Sequence, residues 1–95
     1  MAQVIIGIDP HKGSHTALAL DEGERKLGQL RVTAAPGQVE QLQRWAVWWP
    51  ERVWAVEGAR GLGRLLSQQL IAAGERVVDV QPKLAAGCGC STPGR

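Results

Sequence analysis

The run Val4-Ile5-Ile6-Gly7-Ile8, closed by Asp9-Pro10, constrains this chain more than any other stretch. Val4, Ile5, Ile6 and Ile8 are β-branched, and a nearly unbroken run of such residues is the pattern of a strand covered on both faces. Pro10 has no N–H to donate to a ladder, so regular pairing is expected to stop there. Asp9 therefore falls at the carboxyl end of a central strand, where α/β folds place ligands. Asp-Pro is also a good turn initiator, which leaves a purely structural role for Asp9 open.

The residues that follow alternate. His15, Ala17 and Ala19 interleave with Thr16, Leu18 and Leu20, which predicts a second strand over 14–21, antiparallel to the first. Asp21-Glu22-Gly23-Glu24 is a polar turn, and Lys26–Thr33 is a third strand, so the first three strands form a meander. Pro36 stands near a helix start. Val39, Leu42, Ala46 and Trp49 then recur at helical spacing up to Pro50. Trp45, Trp48 and Trp49 share one flank of that helix. Packing is the ordinary role of such a stripe, with a stacking platform for bases as the alternative.

Residues 52–59 read as a fourth strand, again apolar and again ending on an acid, Glu57. Leu62, Leu65, Leu66, Leu70 and Ala73 mark one face of a second helix, with Gly74 as its stop. Val77, Val78 and Val80 make a fifth strand before Gln81-Pro82. The expected order is β-β-β-α-β-α-β, a five-stranded mixed sheet in an α/β fold. Residues 1–86 form the expected domain, and 87–95 the expected disordered tail.

Composition excludes several classes. In 95 residues there is no apolar run near the ~20 that a spanning helix needs, and no secretory h-region, so the expected location is the cytoplasm. A net charge of +2 is too small to imply a nucleic-acid partner by itself. Cys88 and Cys90 lie far from His11 and His15 in sequence, so they read as free thiols and not as part of a zinc site.

The candidate chemistry rests on Asp9 and Glu57. If their strands are parallel neighbours, both carboxylates emerge side by side, and such a pair repels itself unless a cation is present. Hard oxygen ligands suit Mg²⁺ or Mn²⁺. Lys12, Arg60 and Arg64 flank the acids in sequence and are candidates for phosphate contacts, with solvated surface charge as the ordinary alternative. His11 is a candidate neighbour of a metal-bound water. Asp79, inside the fifth strand, reads as a structural or surface residue and not as a ligand. Gly61 and Gly63 match no phosphate-cradle motif.

These residues carry a resemblance. Three antiparallel strands, a helix and a strand ending in an acid are similar to the opening of the RNase H-like (RuvC-like) fold. Ile-Gly-Ile-Asp-Pro-His-Lys at 6–12, Ala-Val-Glu-Gly-Ala-Arg-Gly-Leu-Gly at 55–63 and Val-Val-Asp-Val-Gln-Pro-Lys at 77–83 resemble the DEDD-type insertion-sequence transposases of the IS one-hundred-and-ten family, RNA-guided DNA recombinases. The similarity runs over roughly residues 3–85.

The resemblance implies that Asp9 and Glu57 are the first two of four acids that hold Mg²⁺ or Mn²⁺. It implies DNA, and a guide RNA, as partners of the intact enzyme. The family's D-x-x-D pair and its C-terminal domain with a nucleophilic serine have no match here, and 87–95 reads like an out-of-frame translation. The chain is thus expected to be a truncated N-terminal part, inactive alone, with weak or absent metal binding. Without a later helix it should also expose an apolar patch around 77–80 and self-associate. Two alternatives remain: a non-catalytic or inert remnant that binds nucleic acid weakly at most, and an actin-like ATP-binding fold. Pro10 and His11 stand where the latter has a Gly and a hydroxyl residue.

Overall fold

A computed structural model describes residues 3–59 and 61–80. Arg60, the expected tail at 87–95 and both cysteines lie outside the described residues. The elements are β1 (Val4–Pro10), β2 (Ser14–Leu20), β3 (Lys26–Thr33), α1 (Gln38–Trp45), a 3₁₀ turn (Ala46–Trp48), β4 (Arg52–Glu57), α2 (Arg64–Ala72) and β5 (Val77–Val80). The strands form one mixed sheet in the order β3-β2-β1-β4-β5. β1–β2 and β2–β3 pair antiparallel, and β1–β4 and β4–β5 pair parallel. The expected α/β class and element order are present.

β1 is central, and its register sets the core. Ile6 lies opposite Ala19 and Trp54, and Ile8 opposite Ala17 and Val56. All six are buried, on the face that also receives Leu42 and Ala46 from the α1 segment and Leu66 and Leu70 from α2. Burying each such aliphatic side chain contributes roughly 1.5–3 kcal/mol. The small side chains of Ala17 and Ala19 leave room beside the isoleucines for the helices to approach.

The apolar run in β1 predicted cover on both faces; the described residues cover one. Strand alternation puts Ile5, Leu18, Leu20, Val53, Ala55 and Val78 on the other face, where Ile5 is 46% exposed and Val78 47% exposed. Of the apolar patch expected around 77–80, Val78 is exposed, whereas Val77 packs partly buried against the core. β1 also runs through Pro10, which lies opposite His15 at the hairpin end. The ladder closes beyond it, where His11 N–H donates to the Ser14 carbonyl at 2.8 Å.

Both helices are shorter than their apolar patterns. α1 gives way to the 3₁₀ turn after Trp45, which separates the three tryptophans. Trp45 and Trp49 meet edge to face at 5.0 Å and pack over Gly28, whereas Trp48 is 80% exposed. α2 begins at Arg64, so Leu62 precedes it, and Leu65 stands on its exposed side, away from the buried stripe of Leu66 and Leu70.

The exit from α2 is a Schellman motif. Gly74 has φ +87°, its N–H donates to the Ile71 carbonyl, and Glu75 N–H donates to the Leu70 carbonyl at 2.9 Å. This turn aims the Glu75 carboxylate at β4. It accepts from Arg52, from Gln43 Nε2 at 2.8 Å and from Trp54 Nε1 at 2.7 Å. Burial pushes the Glu75 pKa up, but the hydrogen bonds from Arg52, Gln43 and Trp54, with the Arg52 charge, outweigh it and hold the carboxyl below its ordinary value.

Candidate functional site

Parallel pairing of β1 with β4 decides where the two acids stand. The register Ile8–Val56 makes Asp9 and Glu57 the next residues on adjacent strands, which lie ~4.8 Å apart. Alternation turns both side chains to the face opposite the helices. Both line one shallow cavity of about 810 Å³, together with Gly7, Thr16, Leu18 and Gly58. The sequence pattern named these acids, and the register brings them together.

Each acid has local support. His11 Nε2 lies 3.3 Å from Asp9 Oδ2, an exposed contact that carries charge on both sides when the imidazole is protonated. Glu57 is followed by a tight exit in which Gly58 adopts φ +62° and its carbonyl accepts from Gly61 N–H at 2.8 Å and Gly63 N–H at 3.1 Å. Only a glycine takes that φ at little cost. Asp79 fastens the same turn, its Oδ1 accepting from Ala59 N–H at 3.3 Å, which is the structural role expected of it. Glycines 58, 61 and 63 thus form a turn that holds Glu57 at the strand end.

Two carboxylates at one cavity fit a hard divalent cation as an incomplete set. Among the described residues, no group of three or more His, Cys, Asp or Glu side chains converges to hold a metal ion.

The three basic candidates separate. Lys12 sits at the tip of the β1–β2 hairpin beside His11 and lines grooves adjacent to the acid cavity. Arg64 lines a different groove, with Ala59, Ser67, Ile71 and Asp79 on the β5 side. Arg60 lies outside the described residues.

Sequence reasoning passed over Gln29 and Arg31. Gln29 lines the acid cavity, and Arg31 Nε donates to Ser14 Oγ at 3.2 Å at the hairpin tip. The alternation of Gln29, Arg31 and Thr33 in β3 is a visible period-two pattern. Its place on the face that carries Asp9, one strand beyond β2, follows from the pairing of Asp9 with Thr16 and of Thr16 with Arg31.

Behind the hairpin, His15 is buried on the helical face. Burial, and then the neighbouring His11, lower its pKa below the ordinary imidazole value against an opposing pull from Gln38. Among the described residues, His15 Nδ1 and Gln38 Oε1 have no hydrogen-bond partner. The Gln38 amide is itself held by Gln69 Oε1 at 2.7 Å.

No helix of the described residues is long and apolar enough to cross a membrane. No protein-family model matches the sequence, and a search of curated proteins found no match.

Proposed function

We propose that this chain is the N-terminal, RNase H-like (RuvC-like) part of a DEDD-type transposase, and that the intact enzyme acts in DNA transposition by Mg²⁺-dependent phosphodiester cleavage and strand transfer. The observation that carries the reading is the placement of Asp9 and Glu57 at neighbouring parallel strand ends, lining one cavity. The order of elements supports it too: an antiparallel meander, a helix, and a strand parallel to β1 that ends on an acid.

In this reading Asp9 and Glu57 supply carboxylate oxygens to Mg²⁺ or Mn²⁺, and His11 steadies the Asp9 carboxylate from the hairpin side. The cation, when bound, activates a water or hydroxyl and stabilises in-line displacement at phosphorus. Asp9 and Glu57 would supply two of the family's four acids, and two carboxylates alone would hold the cation weakly.

Titration with Mn²⁺ tests this reading, following the free-ion paramagnetic resonance signal for wild type, Asp9→Asn and Glu57→Gln. Weak binding that both substitutions abolish supports a shared half-site. Binding that survives both substitutions rejects the metal assignment. No binding in any of the three would count against a half-site formed by these two acids.

A further inference from the structure

We propose that the tip of the β1–β2 hairpin and the adjoining end of β3 form a binding site for the phosphodiester backbone of a nucleic acid, with Lys12 and Arg31 as its two charged contacts. The proposal deepens the reading above by assigning a substrate-binding surface next to Asp9; it does not depend on metal binding.

A shallow groove of about 860 Å³ opens there, lined by His11, Lys12, Ser14, Thr16, Arg31 and Thr33 among others. Its described lining contains no carboxylate. Two permanent cations, an imidazole and three hydroxyls therefore face one concavity, a donor-rich surface suited to phosphate oxygens.

The strands build this arrangement. Pairing of Ser14 with Thr33 and Thr16 with Arg31 alternates hydroxyl and guanidinium across β2 and β3 on the face that carries Asp9. Arg31 is positioned by its Nε–H, which donates to Ser14 Oγ, and its two terminal nitrogens make no hydrogen bond among the described residues, so they can present a fork. The hairpin tip is tied to the end of β3, where Ala34 N–H donates to the Gly13 carbonyl at 3.1 Å. Lys12 and Arg31 thus project from a joined surface and not from independent loops.

Continuity with the acids argues for a chain of phosphates over a single anion. His11 belongs to this groove and also touches Asp9, and Thr16 lines both this groove and the acid cavity. One polyanion lying along that line would meet Arg31 and Lys12 and then reach Asp9 and Glu57. An isolated phosphate would fill only part of it.

The test is fluorescence anisotropy of a short labelled single strand and a short duplex, with chelator present throughout and salt varied. It compares the wild-type chain with the double variant Lys12→Gln/Arg31→Gln and a charge-matched control, Arg25→Gln/Arg44→Gln. Circular dichroism confirms the fold of each. The expected result is about tenfold or greater weakening in the Lys12/Arg31 variant, with the slope of log K against log salt reduced by about 1.5–2. The control should retain the wild-type slope. Equal losses in both variants, or no wild-type binding, would overturn the proposal. Displacement of the strand by inorganic phosphate, beyond that by chloride at equal ionic strength, would overturn the choice of a phosphodiester chain and indicate a free-phosphate site. Loss of Mn²⁺ binding would leave this result unchanged, so the two readings fail separately.

Discussion

Trp54 Nε1–H donates to Glu75 Oε1 at 2.7 Å, joining the middle of β4 to the turn that ends α2. The indole is fully buried, and the carboxylate also receives Arg52 Nη2 at 2.7 Å and Gln43 Nε2 at 2.8 Å. One acid therefore ties α1, β4 and the α2–β5 connection together. Glu75→Ala leaves the Arg52 guanidinium and the indole N–H without this acceptor and should cost about 2–4 kcal/mol. Urea denaturation followed by tryptophan fluorescence measures it. A loss below about 0.5 kcal/mol, the range of ordinary surface substitutions, would show that the network is incidental.

Gly63 stands where the start of α2 closes on β4. A Cβ there would lie 2.7 Å from Val56 Cγ1 and 3.0 Å from the Glu57 carbonyl. Val56 is fully buried, and the second contact is backbone, so neither yields easily. Gly63→Ala should destabilise the fold by about 1–3 kcal/mol. Gly37→Ala is the control, since nothing lies within 4 Å of a Cβ at that helix start. Equal melting temperatures for the two variants would show that the β4–α2 approach has room for a methyl group.

Acid should weaken the fold in two stages. His15 has a pKa lowered from 6.5, so below that value the unfolded chain takes up a proton that the folded chain refuses. Its contribution is complete above pH 6.5 and declines as pH falls towards the lowered value. Glu75 has a pKa lowered from 4.5, so its contribution is present above pH 4.5 and is lost as pH falls through the folded value. His15→Leu should flatten the first stage and leave the second. Melting temperature against pH for the two chains checks the assignment; the same slope near pH 6 in both would refute it.

The face of the sheet opposite the helices should drive self-association. Ile5 and Val78 are about half exposed there, beside Leu18, Leu20, Val53 and Ala55. Light scattering should show the wild-type chain associating with concentration, and Ile5→Lys with Val78→Lys should restore a monomer. A monodisperse wild-type monomer would dispose of the idea.

Much of this protein is legible in the order of its residues. β-branched runs, period-two alternation and the punctuation at Pro10, Gly23, Pro36, Pro50 and Gly74 locate each element, because those signals act within a few residues. The same local signals single out Asp9 and Glu57 as acids that end apolar strands. Distances across the sheet are another matter. That Asp9 neighbours Glu57, that Arg31 reaches Ser14 and that Glu75 receives Trp54 depend on strand register and on where α2 returns. Those are sums of many weak contacts between segments distant in sequence, and no short pattern encodes them. Gly63 shows the limit well: its glycine is plain in the sequence, but the close approach of α2 to Val56 and to the Glu57 carbonyl that requires it exists only in the packed fold.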